Sequence, residues 1–257
     1  VAIIVPFRDL HVEQKRSEHL KRFVPEMSRC VCLRSSRYDF DVWCSHRFLD
    51  GHEFVIYIIE QSDDKKEFNR GKLLNAGFHI ASAEGCRVFI FHDVDLMPSA
   101  ELLSYYTTVP TGKSPVHIAR VWNRYNSNDK YFGGIISFSK EQFEEINGYP
   151  NNFWGWGGED DELMKRAQEV NFVPIGPQSG SITDYEDMSL DEKLNFLRAH
   201  REWKCPNKWE LLAEHMQSWR TNGLTDLQFS TIKDSLIDSS RNCRRILVDI
   251  SAIGKTS

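Results

Sequence analysis

Three runs of apolar residues limit how this chain can fold. "VAIIVPF" (1–7), "FVIYIIEQ" (54–61) and "RVFIFHDVDLMP" (87–98) are nearly continuous rather than alternating. Strands of that kind are covered on both faces, the habit of parallel sheets flanked by helices. The segments between them supply the helices. Residues 13–27 place Leu20, Phe23, Val24 and Met27 on one side, and residues 68–82 place Leu73, Leu74, Phe78 and Ala81 at helical spacing. Strand, helix, strand, helix, strand is the order of an α/β fold. Further strands are expected at 114–120, 130–140, 171–177 and 244–250. Helices are expected at 141–148, 159–170, 189–200 and 207–222. Residues 28–52 are polar and irregular and read as an insertion. No repeat or linker divides the 257 residues, so one domain, 1–257, is expected.

Charge excludes one class of partner. The formal net charge is −5, which disfavours nucleic acid. Apolar residues make up 40% of the chain, enough for a real core, but no apolar stretch approaches the ~20 residues that span a bilayer. No signal peptide precedes the first strand, so the chain is expected to be a fragment whose membrane anchor lies elsewhere. Six cysteines are too sparse for a disulfide scaffold. Cys30-x-Cys32 with Cys44-x-His46 faintly resembles a zinc site but lacks the usual two-residue ligand spacing.

Two motifs carry chemistry. "FIFHDVDLMP" runs from apolar residues into Asp93-Val94-Asp95 at the end of a strand, the edge where open α/β sheets bind ligands. If the strand continues through them, both carboxylates point to the same side. One can then hold Mg²⁺ or Mn²⁺ and the other a hydroxyl. A phosphotransferase of the haloacid dehalogenase type also starts from Asp-x-Asp, but Leu96, Met97 and Pro98 replace its usual hydroxyl residue and flexible loop. The second motif is "NNFWGWGGEDDE" (151–162). It sets Trp154 and Trp156 among glycines, then runs into Glu159, Asp160, Asp161 and Glu162. The plain alternative is a turn and the acidic first turn of a helix. "PFRD" (6–9) and "FNR" (68–70) add an aromatic–arginine pair at two further strand or helix ends, suited to a nucleotide and its phosphates.

In the order "VAIIVPFR", "FNRGKLLNAGF", "FHDVDLMP", "YFGGIISFSKEQFEEINGYPNNFWGWGGEDDE", the chain resembles the animal β-1,4-galactosyltransferase family over roughly residues 1–175, less the insertion. The resemblance implies a GT-A-like fold, a Golgi type II enzyme, and inverting transfer of galactose from UDP-galactose to a carbohydrate acceptor with Mn²⁺ (or Mg²⁺). The donor half would be about 1–110 and the acceptor half about 111–257. Pro6, Phe7, Arg8, Phe68 and Arg70 would hold the uridine and phosphates, with Val94 and Gly134 also on the donor side. Asp93 would meet the ribose or sugar and Asp95 the metal. Tyr131 would disfavour an N-acetylated donor. Trp156 would lie between donor and acceptor on a mobile loop with Gly155, Gly157 and Gly158. Glu159, Asp160 and Asp161 would bind sugars, with Asp160 as base and Glu162 nearly silent to substitution.

Two departures stand out. Leu10 replaces a second arginine of the family's Pro-Phe-Arg-x-Arg. No histidine lies between His117 and His200, where members carry a metal ligand. Glu186 is the preferred replacement, ahead of Asp184, Asp187 or His200. The missing histidine keeps open an inactive sugar-binding homologue, and a UDP-N-acetylhexosamine donor is a further alternative. "HREWKCPNKWELL" (200–212) either shapes the acceptor site or caps the fold with Trp203 and Trp209 packed inward.

Overall fold

Strand β1 (Ala2–Phe7) is the axis of the molecule, and every one of its residues is buried. It pairs in parallel with β2 (Val55–Gln61) on one side and β3 (Val88–His92) on the other. The structure is a computed structural model that describes residues 1–28, 53–237 and 242–251. The 28–52 insertion and the Cys30/Cys32/Cys44/His46 grouping therefore lie outside the described residues, apart from Ser28 at the end of a helix.

Pleating sends Ile3, Val5 and Phe7 to one face of β1 and Ala2 and Ile4 to the other. Helix α1 (Arg16–Ser28) covers the first face with Leu20, Phe23, Val24 and Met27, as its spacing predicts. Helix α2 (Arg70–Ala83), capped by Asn69 on the Lys72 N–H, covers the second with Leu73, Leu74, Phe78 and Ala81.

After β3 the chain turns through Asp93–Asp95 into β4 (Leu96–Pro98), passes α3 (Leu103–Thr107), and returns as β5 (Val116–His117) and β6 (Ile135–Ser139). A capping box at Ser139 and Gln142 starts α4 (Lys140–Glu145). Then follow α5 (Glu159–Glu169), β7 (Ile182–Asp184), α6 (Leu190–Ala199), α7 (Lys208–Ala213), α8 (His215–Ser218), β8 (Ser230–Leu236) and β9 (Cys243–Asp249). The main sheet has the order β5-β6-β3-β1-β2-β9-β8, parallel through β3-β1-β2-β9 and antiparallel at both flanks. This is the mixed α/β, GT-A-like class expected.

Four expectations change. Residues 171–177 form no named strand: Val173 and Ile175 N–H donate to Lys113 O (2.8 Å) and Pro115 O (2.9 Å), but Ile175 alone bridges Val116, and Pro177, next in that alternation, has no N–H to extend the ladder. The 114–120 strand shrinks to Val116–His117 and continues as a 3₁₀ turn, Ile118–Val121. The 207–222 helix breaks at Glu214 into α7 and α8. Asp93–Asp95 sit in a turn and not on the strand, Leu96 N–H donating to Asp93 O at 3.3 Å, so the same-side rule does not apply.

The acidic helix is held on the sheet by buried amides. Asn75 of α2 donates to Tyr149 O (2.8 Å) and Asn151 Oδ1 (2.9 Å) and accepts from Tyr149 N–H (2.9 Å). Asn69 donates to Asn151 O, and Asn151 donates onward to Gly223 O and Asp226. Asn75→Ala leaves three buried groups without partners, each worth about 1–3 kcal/mol. Its stability in urea denaturation is expected to fall by about 4 kcal/mol in total.

Candidate active site

The C-terminal ends of β1 and β3 and the first turns of α1, α2 and α5 open onto one cleft of about 310 Å³. Pro6, Phe7, Arg8, Phe68, Arg70, Asp93, Val94, Asp95, Tyr131, Trp156, Gly157, Gly158, Glu159, Asp160, Asp161 and Glu186 all line it. Of the expected site residues only Gly134 stands behind the wall. Its carbonyl accepts from Asp93 N–H at 3.0 Å, fixing the turn.

Arg70 joins the two halves of the cleft. Its Nε donates to Asp93 Oδ1 at 2.7 Å and its Nη1 to Asp160 Oδ1 at 2.9 Å, with Glu159 Oε1 3.7 Å away. This guanidinium, expected on the donor's uridine and phosphates, is thus engaged by carboxylates. Burial pushes the Asp160 carboxyl well above its ordinary range; Arg70 opposes the shift, while Glu159 and Asp93 add to it. Asp93 and Glu159 are raised for the same first reason. Three carboxylates, Glu159 buried and Asp93 and Asp160 partly so, share one guanidinium, so the group holds a proton more readily than free acids do.

A second cluster lies beside the first. Asp95, Asp184 and Glu186 bring carboxylate oxygens within 4.8 Å of one another. Arg16 bridges Asp95 and Glu186, Arg124 bridges Asp184 (2.5 Å) and Glu186 (3.0 Å), and Lys193 reaches both Glu186 oxygens (2.7 and 2.8 Å). Burial raises the Asp95 carboxyl, but Arg16 outweighs it and leaves the group well below the usual range. Asp184 is pushed up to about 6, burial exceeding the pull of Arg124. Three hard oxygen donors suit Mn²⁺ or Mg²⁺. Asp184 Oδ2 is buried and lies 2.5 Å from Arg124 Nη2, so this oxygen too is charge-balanced by an arginine. His200, the alternative ligand, stacks on Trp203 at 4.0 Å instead.

The Trp–Gly loop is pinned at its back and open at its front. Gly155 N–H donates to Phe68 O, Trp156 N–H to Trp203 O (2.7 Å), and Cys205 N–H to Trp156 O (3.1 Å). Gly155, at φ +91°, passes so close to Lys204 that a Cβ would lie 2.8 Å from its carbonyl carbon. Gly158, at φ +108°, would drive a Cβ to 2.4 Å from the Phe153 ring. The Trp156 ring itself is 40% exposed over the cleft. Trp203 is buried between His11 (3.9 Å) and His200 (4.0 Å). Trp209 is 75% exposed, so half of the expected inward cap is absent. Tyr131 stacks on Tyr125 at 4.1 Å.

Arg16, Arg124 and Lys193 have no signal in the sequence, because their partners are distant in the chain. Glu162 is also more than a helix-start acid: it is buried and bound by Arg166 (3.1 Å) and His215 Nδ1 (2.8 Å).

A mixed α/β sheet with an acidic, aromatic cleft at its strand ends defines a nucleotide-sugar transferase fold of the GT-A-like class. Two family models match: "N-terminal region of glycosyl transferase group 7" over residues 46–108 and "N-terminal domain of galactosyltransferase" over 113–189, together more than half of the chain. The chain belongs to the β-1,4-galactosyltransferase family. It is 33% identical over 243 residues to human β-1,4-galactosyltransferase 4, covering 90% of this chain and 59% of that one. It is 36% identical over 240 residues to bovine β-1,4-galactosyltransferase 1, covering 91% and 50%. The chain thus spans about half the length of the curated relatives it matches. A crystal structure of a mutant Drosophila β-1,4-galactosyltransferase 7 with manganese, UDP-Gal and xylobiose superposes with a TM-score of 0.73 at 27% identity, covering 98% of this chain and 94% of that one.

Glu162 was expected to matter little to the chemical step; its burial gives it a separate role in stability. Glu162→Gln leaves the fully buried Arg166 without its anionic partner. Thermal and urea unfolding are expected to report a loss of about 3 kcal/mol.

Proposed function

We propose that this chain transfers galactose from UDP-galactose to a sugar hydroxyl with inversion, forming a β-1,4 linkage. We read it as one catalytic domain with a donor half (1–110), an acceptor half (111–257), and the Golgi lumen as its setting. The relatives' names, and the UDP-Gal, manganese and xylobiose bound to the structural neighbour, support the donor and a carbohydrate acceptor of N-acetylglucosamine or xylose type. Among the described residues no helix is long and apolar enough to cross a membrane. The observation that carries the proposal is the meeting in one cleft of the Asp95–Glu186 cluster, the exposed Trp156 ring and the Arg70-bound Asp160.

Asp95, Asp184 and Glu186 would hold the divalent ion, which when bound offsets the charge of the departing diphosphate. Phe7 and Phe68 flank the base side, with Arg8 beside them. Tyr131, braced by Tyr125, limits room for an acetamido group on the donor sugar. Trp156 offers its face to the C–H side of a sugar. The glycines on either side let the loop close and exclude water. Asp160 takes the proton from the acceptor hydroxyl as that oxygen bonds to C1 of galactose. The C1–phosphate oxygen bond breaks on the opposite face, and UDP leaves with the bonding pair. A raised carboxylate pKa makes Asp160 a stronger base than a surface aspartate.

Release of UDP from UDP-galactose with Mn²⁺ over a panel of sugar acceptors tests the reading. Retained sugar binding without turnover on any acceptor would establish the inactive homologue instead. Asp160→Asn is expected to cut kcat by ~10²–10⁴-fold while calorimetric UDP binding stays near normal.

The pH profile follows from the burial of the same group. Asp160 accepts a proton only when ionised, so kcat/KM falls as pH drops through its raised pKa, above the ordinary carboxylate range. Glu159→Gln removes a like charge, lowers that pKa, and is expected to move the acid limb to lower pH. A limb that stays in place in this variant would exclude Asp160 as the titrating base.

A further inference from the structure

Arg16 lies between Asp95 and Glu186, two of the three acids that could hold a divalent ion. One nitrogen pairs with Asp95 Oδ2 and another with Glu186 Oε1 (2.9 Å). With Arg124 and Lys193 on Glu186 and Asp184, three cations balance three carboxylates, and the cluster is formally neutral. A bare triad of buried acids would attract Mn²⁺ strongly. A neutral one attracts it only if a cation leaves.

The three cations differ in how firmly they are held. Arg124 is anchored twice more, donating from Nε to Met188 O at 3.0 Å and lying over the Trp122 ring. Lys193 is buried in α6. Arg16 is the first residue of α1, follows Lys15 in the left-handed conformation at φ +50°, and lines the open cleft. Its charge sits at the positive end of the α1 dipole, an unfavourable place offset here by the two carboxylates. Arg16 is also the only cation paired with Asp95 among the described residues. It is therefore the member that can leave, and its departure frees Asp95 Oδ2 and leaves Glu186 Oε1 with Lys193 alone.

We propose that Arg16 is a built-in counter-ion that competes with the divalent metal: the ion enters only as the guanidinium swings out toward the cleft. The released guanidinium then faces the space where the donor's diphosphate would lie, so diphosphate and metal help each other displace it. This rests on reading Asp95, Asp184 and Glu186 as the metal holders.

The test is a Mn²⁺ titration followed by the electron paramagnetic resonance signal of the free ion, on the wild type, Arg16→Gln and Arg16→Lys, without nucleotide. Arg16→Gln is expected to bind Mn²⁺ at least ten-fold more tightly than the wild type. It is also expected to gain more in Tm from added Mn²⁺, because Asp95 then lacks a counter-charge while Glu186 keeps Arg124 and Lys193. Arg16→Lys keeps the charge but contacts one acid at a time, and is expected to bind a few-fold more tightly. It decides the matter should Arg16→Gln fold poorly. Equal or weaker Mn²⁺ binding by the variants overturns the role of Arg16 and leaves the metal site standing. Absence of Mn²⁺ binding in all three proteins, with and without UDP, overturns the metal site and the inference together.

Discussion

The buried guanidinium of Arg70 is the contact on which the cleft depends. It is the first residue of α2, yet it binds Asp93 at the end of β3 and Asp160 in the first turn of α5. Without it the turn after β3 and the acidic helix would repel each other across a space poor in water. A buried charge is tolerated only when it is paired. Here one cation serves three acids, so the pairing is incomplete by design of the sequence. The remaining strain appears as raised pKa values at Asp93, Glu159 and Asp160. The interaction that holds the two halves together also tunes the proposed base.

The loop above this contact combines a fixed base with a movable front. Beneath it, Asn69, Asn75 and Asn151 satisfy the backbone of 149–151, and Arg166 donates to Asn147 O, Gly148 O and Asn222 O. Buried networks of this kind are rigid because breaking one bond leaves several groups unsatisfied. From Gly155 to Gly158 the chain takes positive φ at three glycines and is tied only by backbone bonds to Phe68, Trp203 and Cys205. The backbone of Trp156 is thus held by Trp203 and Cys205 while its side chain stays exposed at the cleft.

Continuous apolar runs announced β1, β2 and β3, and the 3.6-residue spacing announced α1 and α2, because those signals are local. The acidic–aromatic motif was legible for the same reason. What escaped the sequence was decided at a distance. β8, with residues such as Thr231, Lys233 and Asp234, is exposed on both faces and carries no apolar alternation; its pairing with β9 alone makes it a strand. Residues 171–177 had the apolar content of a strand, but their pairing stops after Ile175, where Pro177 has no N–H to carry the ladder on. Asp93-Val94-Asp95 turned where a straight strand was expected, and the two acids went to different arginines. Arg16 and Glu186 are 170 residues apart in the chain, so no spacing rule could join them.

The two arginines divide the sheet edge into sites of opposite balance. Around Arg70 the acids outnumber the cation and the carboxyls are raised above their usual range, which fits the proposed proton acceptor. Around Arg16 the charges cancel, and the cations hold the carboxyls of Asp95 and Glu186 below their usual range despite their burial. An excess of negative charge suits a group that must take a proton from a neutral hydroxyl. A neutral cluster with one loosely held cation suits a place that must receive both a divalent ion and a diphosphate and later release them. Had all three cations been as firmly anchored as Arg124, the acids would be closed to an ion. Had none been present, the triad would carry a large uncompensated charge between turnovers, at a cost in folding stability. The position of Arg16, at a helix start and beside the opening, lies between these limits.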